Sequence, residues 1–185
     1  IDVLSICRTL GKGSEEFILL DIGLDYSMMT IFQSGAPVAQ RALQQGWGNF
    51  VNAIAGVMGS DNKKTESLIT TKNLLIDGDK DLEEASLALK EAVNSLVHEC
   101  RLTSDYYTTN KREAVFTHLV LAGAGSAVPG LSEYVARDNE NEVITHDILK
   151  TVDFSSKFEK TKVKAAAPVL AVAVGAALGG GDFDD

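Results

Sequence analysis

Hydrophobic positions fall into short runs early in the chain and into a helical rhythm later. Phe17-Ile18-Leu19-Leu20 is a compact apolar run ending at Asp21 and Gly23, the pattern of a buried strand broken by a turn. Ser27 to Phe32 reads as the return strand, Ser34-Gly35 as the next turn and Pro37 to Leu43 as a third strand. Strands joined by such tight turns form a meander, which makes this part of the sheet antiparallel.

After Gly46-Trp47-Gly48 the period lengthens. Phe50, Val51, Ile54, Ala55 and Met58 recur at helical spacing, and Gly59 closes that helix. Residues 60–80 are polar and irregular and read as a short helix with loops. A long helix is predicted from Asp81, with Asp81 and Glu84 as a capping pair and Leu82, Ala85, Leu89, Val93, Leu96 and Cys100 along one face. Continued to Thr109, it is roughly 40 Å long.

Ala114 to Ala122 is the most strand-like segment of all and runs into Gly123-Ala124-Gly125-Ser126. Pro129-Gly130 then introduces a helix from Leu131 to Arg137, and Glu142 to Thr145 is a short strand. A final helix opens at Pro168, in the first turn where proline is tolerated, and ends at Gly179-Gly180-Gly181. Asp2 to Leu10 reads as a helical remnant before a loop at Gly11 to Ser14, and Asp182 to Asp185 as an acidic tail. The predicted class is α/β with a mixed sheet.

Composition narrows the function. With 17 basic and 26 acidic residues the net charge is −9, which argues against a general nucleic-acid binder. The two cysteines, Cys7 and Cys100, make neither a disulfide framework nor a zinc site and suit a reducing cytoplasm. The longest apolar stretch, Ala165 to Leu178, is too short and alanine-rich for a membrane span and reads as a buried helix. Ile1-Asp2 lacks a basic n-region, so no signal peptide is expected, and the missing methionine points to a piece of a longer protein, though a processed terminus would look the same. His98, His118 and His146 have no partners at metal spacing and read as structural, and no Ser/His/Asp or Cys/His triad can be assembled. Tyr106-Tyr107 is expected to anchor the end of the long helix in the core, with a partner surface as the alternative.

Two glycine-marked turns carry the candidate chemistry. In Asp21-Ile22-Gly23-Leu24-Asp25-Tyr26-Ser27, glycine permits a sharp turn whose amides can cradle an anion, and an acidic residue at a strand end can hold magnesium through water. The same pattern also suits an ordinary hairpin. In Gly123-Ala124-Gly125-Ser126, bare glycines let a flat ligand approach, and a following helix offers free amides. Val128 stands where the dinucleotide fingerprint needs its third glycine, and Gly-Lys-Ser/Thr is absent. A purely structural turn fits this segment too.

The order of these elements resembles the second, C-terminal lobe of the actin-like ATPase superfamily, a ribonuclease H-like fold. The order runs from a strand–Asp-x-Gly–strand hairpin and a third strand, through a helical insertion, to a strand–Gly-x-Gly-Ser–helix. Within it, the chain is similar to the PilM-type pilus assembly family, through Glu99 to Tyr107 (Glu…Thr-Ser-Asp-Tyr-Tyr, one residue off the family's Glu…Ser-x-Asp-Tyr-Tyr spacing) and the Ala171 to Leu178 pattern. The resemblance implies a sheet subdomain at 17–49 and 113–181, an inserted helical subdomain at 50–112, and the end of an inter-lobe helix or linker at 1–16. Asp21 and Gly23 would face the phosphates and magnesium of ATP, and Ser27 would close the hairpin turn. Gly48 would mark the subdomain entry, with Gly123, Gly125 and Ser126 meeting the adenosine.

The function implied is a cytoplasmic scaffold of a type IV pilus or type II secretion platform. It binds ATP between its lobes to gate an inner-membrane partner, and nucleotide binding is expected in preference to significant hydrolysis. Partners implied are that membrane protein, the first lobe of the same protein and further copies of the chain, with no direct membrane insertion. Asp25, Tyr26 and Val51 depart from the family pattern and keep open a nucleotide-free interaction module. A sugar kinase or chaperone-like ATPase shares the fold but needs a catalytic carboxylate from a first lobe. A cell-division relative would need an amphipathic C-terminal anchor in place of the acidic tail.

Overall fold

The computed structural model describes residues 16–77, 80–110 and 116–147, with Leu149, Ala167 and Leu170 beyond them. Its centre is a five-stranded sheet in the order β3-β2-β1-β4-β5, formed by β1 (Phe17–Ile22), β2 (Ser27–Gln33), β3 (Ala36–Leu43), β4 (His118–Ala122) and β5 (Glu142–Thr145). The first three strands form the expected antiparallel meander, while β4 runs parallel to both β1 and β5. The turn between β2 and β3 has positive φ at both Ser34 (51°) and Gly35 (77°), the twist that a two-residue hairpin requires.

Strand β1 is apolar on both faces because it sits in the middle of a sheet covered on both sides. Ile18, Leu20 and Ile22 join the larger core with Met29, Ile31, Leu119 and Leu121. Phe17 and Leu19 point the other way, into a smaller cluster with Phe32, Val120 and Ala122, where the Phe17 and Phe32 rings stack at 4.7 Å.

Between β3 and β4 lie three helices, α1 (Trp47–Met58), α2 (Asn62–Thr71) and α3 (Glu83–Asn110). Helix α1 buries Trp47, Phe50, Val51 and Ile54, one stripe at helical spacing, and ends on Gly59 in the left-handed region at φ 59°. Each such fully buried side chain stabilises the fold by ~1.5–3 kcal/mol. Helix α2 is capped by the Asp61 carboxylate, which accepts from the Lys64 amide at 2.9 Å. The long helix α3 presents Ala85, Leu89, Val93, Leu96 and Cys100 to the same core as α1, as the 3/4 spacing predicts.

Several boundaries differ from expectation. Lys80–Leu82 is a 3-10 turn, so α3 begins at Glu83 and not at Asp81. The competing contact is tertiary: the buried Ser86 hydroxyl donates to the Leu74 carbonyl at 2.6 Å and holds the first turn against the preceding loop. Strand β4 starts at His118, later than the apolar pattern from Ala114 suggests. Helix α4 (Leu131–Ala136) is a six-residue element. Tyr107 anchors the end of α3, donating to Gln33 Oε1 at 2.9 Å, but Tyr106 is 75% exposed and takes no part in the core. The helical remnant at 2–10, the acidic tail and most of the expected helix at 168–179 lie outside the described residues; Ala167 and Leu170 are helical.

Candidate functional site

Parallel pairing of β1 with β4 sets Asp21 opposite Ala122, so both glycine-marked turns leave the sheet side by side at its carboxyl end. In open α/β sheets ligands bind outside the carboxyl ends of the strands, which is where both turns sit. Gly123 has φ 79°, and a Cβ added there would collide with the Asp21 carboxylate. At Gly125 a Cβ would meet the Ile22 side chain. The two turns are in contact, and bare glycines allow it.

Asp21 is half-buried, and desolvation raises its carboxyl above the ordinary value. It lines a depression of about 550 Å³ with Gly23, Leu24, Tyr26, Thr30 and Gln40. Leu24 and Tyr26 stand at the tip of the hairpin, 61% and 54% exposed. A second depression, about 460 Å³, is floored by Ile18, Cys100 and Leu119 at the opposite ends of β1 and β4, away from Asp21.

The other predicted residues sit close by, and most already have partners. The buried Ser27 hydroxyl donates to the Gln45 carbonyl at 2.6 Å. The Ser126 hydroxyl donates to the Gly123 carbonyl at 2.7 Å, and its amide donates to the same oxygen at 3.1 Å. The Gly48 amide donates to the Leu24 carbonyl at 2.8 Å, as the Trp47 amide does to the Gly23 carbonyl at 2.8 Å. Gly23 is where the turn folds tightest, with the Tyr26 carbonyl oxygen 2.6 Å from the place of a Cβ.

A helix follows the glycine turn at Leu131, as expected, but a 3-10 turn, Ala124–Ala127, stands between them. Among the described residues, no group of three or more His, Cys, Asp or Glu could hold a metal directly. A single half-buried carboxylate suits magnesium held through its water shell and does not suit a bare ion.

Gly46 was missed as a site residue. A Cβ there would lie 2.7 Å from both the Gly23 and Leu24 carbonyl oxygens. The Gly46-Trp47-Gly48 spacing is the signal that could have pointed to it. Gln45, which carries the Ser27 contact, has no such signal.

Among curated proteins none matches by sequence. The solved PilM–PilN type IV pilus biogenesis complex matches with a TM-score of 0.77 at 22% identity, over 97% of this chain and 50% of that one. The ethanolamine utilization protein EutJ of Carboxydothermus hydrogenoformans matches at 0.59 and 16% identity, over 94% and 53%. The archaeal actin homolog Ta0583 matches at 0.59 and 14% identity, over 96% and 54%. The fold is therefore actin-like, and the chain spans about half the length of these structures. No helix among the described residues is long and apolar enough to cross a membrane. A profile of the type IV pilus assembly protein PilM matches residues 6–180, and the chain belongs to that family.

Proposed function

We propose that this chain is the second lobe of an actin-like scaffold for type IV pilus assembly, which holds Mg–ATP between its lobes to gate an inner-membrane partner. The observation that carries the reading is the contact of the Asp21 carboxylate with the Gly123 turn at the carboxyl ends of β1 and β4. Asp21 would hold the water shell of magnesium, which when bound supplies charge neutralisation to the phosphates. Gly23 gives the hairpin its tight turn, Gly123 and Gly125 let the second turn close on Asp21 and Ile22 beside the adenosine, and Ser27, Gly48 and Ser126 fix the main chain around them. Solved neighbours include Ta0583 in complex with ADP and MreB5 of Spiroplasma citri bound to AMPPNP, which supports a nucleotide in this fold. The PilM–PilN type IV pilus biogenesis complex supports a PilN-like partner; the inner-membrane setting of that partner and a cytoplasmic location for this chain belong to the proposal. Secretion platforms and further copies of the chain stay within this proposal as alternative settings.

In the complete two-lobed protein, Asp21→Ala should weaken Mg–ATP binding about tenfold or more in a calorimetric titration. Unchanged affinity would overturn the assignment. A second reading, a nucleotide-free interaction module, is favoured by Asp25 in the hairpin turn and by the internal engagement of the Trp47 and Gly48 amides. A purified full-length protein free of nucleotide, with no thermal shift on adding Mg–ATP, would select it.

A further inference from the structure

The first turn of a helix normally leaves amides for a side-chain cap, water or an anion. At the start of α1 they go elsewhere. Trp47 and Gly48 donate to the carbonyls of Gly23 and Leu24, and the Asn49 amide donates to the Gly46 carbonyl at 3.0 Å. The Asn49 Oδ1 in turn accepts from the Gly46 amide at 2.8 Å. This helix end grips the β1–β2 turn and has no amide left in its first turn for a phosphate. Gly46 is extended, at φ −153°, so the backbone does not demand glycine there. The demand is steric, since two carbonyl oxygens occupy the place of a Cβ.

The grip continues into α3. Gln45, whose carbonyl accepts from the Ser27 hydroxyl, donates through Nε2 to Ser95 Oγ at 2.7 Å and to Glu99 Oε1 at 3.3 Å. The hairpin turn, the entry to α1 and the middle of α3 thus form one hydrogen-bonded chain. Helices α1 and α3 also share the core through Phe50, Ile54, Leu89 and Val93.

We infer that Gly46 is a positioning residue for the nucleotide hairpin: it seats the Gly23–Tyr26 turn on α1 and so ties the hairpin's position to the helical insertion. This rests on the nucleotide reading above. The role differs from binding, because Gly46 acts through the turn carbonyls and offers nothing to a ligand.

The test is hydrogen–deuterium exchange of the complete protein with and without Mg–ATP, followed by the same measurement on Gly46→Ala. In the wild type, ATP should slow exchange about tenfold at 45–49 and in the middle of α3, together with the hairpin. In Gly46→Ala, which should still melt cooperatively by circular dichroism, the slowing in α3 should vanish and ATP affinity should fall about tenfold. Gly48→Ala, whose Cβ would sit 3.2 Å from the Leu24 oxygen, should show a smaller loss. If the wild type binds ATP but exchange at 45–49 and in α3 does not change, this inference alone is overturned. If the wild type binds no ATP, the proposed function falls and this inference with it. A Gly46→Ala protein that binds and responds like the wild type also overturns it.

Discussion

The Asp21 carboxylate, on β1, lies directly over Gly123, the first residue beyond the parallel strand β4, at the place where any other residue would put its Cβ. Position 123 also needs φ 79°, a region that costs side-chain-bearing residues free energy. Gly123→Ala should therefore destabilise the protein by about 1–3 kcal/mol. Urea unfolding checks this, and an unshifted midpoint would show that neither the crowding by Asp21 and the Ile22 carbonyl nor the positive φ carries a cost.

Burial raises the Asp21 carboxyl, so the sign of its pH dependence is opposite to that of a salt-bridged carboxylate. The protonated form is favoured in the folded state; stability is fully present at low pH and is lost as pH rises through the raised value. Asp21→Asn should be more stable than the wild type at neutral pH, and the advantage should vanish in acid. The same variant should bind Mg–ATP more weakly, a trade-off between stability and function. Thermal melts across the pH range decide it; an advantage that grows in acid would contradict the burial argument.

Phe50 is fully buried between α1, α3 and the sheet. Phe50→Ala should cost about 3–5 kcal/mol through lost burial and the cavity left behind. Val57→Ala, at an exposed position near the end of the same helix, should change stability by less than about 0.5 kcal/mol. Comparable losses for the two would mean that α1 is not packed as described.

Cys100 is buried on α3, and desolvation pushes its thiol up to about 12. The thiolate is the reactive form, so Cys100 should resist alkylation by iodoacetamide in the native protein at neutral pH and react once the chain is unfolded in urea. Mass spectrometry of the peptide containing Cys100 reads this directly; fast native labelling would show that α3 lifts off the sheet.

Much of the fold could be read from residue order because each apolar run ends on a residue with a definite turn chemistry. Gly23, Ser34-Gly35 and Gly59 mark ends that the strands and α1 respect. The start of α3 could not be read, since Asp81 and Glu84 look like a local cap while the deciding contact joins Ser86 to Leu74. For the candidate site, residue order located the two turns but not their meeting. That depends on β1 pairing with a strand beyond the helical insertion, and nothing local encodes the pairing. Ser27 shows the limit most clearly: its hydroxyl suggests a ligand contact, yet its partner is the Gln45 carbonyl, eighteen residues away in the chain.

The parallel seam between β1 and β4 also constrains how the chain reaches this structure. The β1–β2–β3 meander can assemble from neighbours in sequence. The other edge of β1 must wait for residues far downstream, as the bond from Thr117 Oγ1 to the Glu16 carbonyl, spanning 101 positions, illustrates. Non-local pairing of this kind is slow because loop closure comes before any reward. While β4 is absent, one side of β1 is an open, apolar edge, the kind of surface that recruits other chains. The helical insertion packs α1 and α3 onto the same core and so spans much of the chain between β1 and β4; its packing should therefore govern folding yield as well as the final stability.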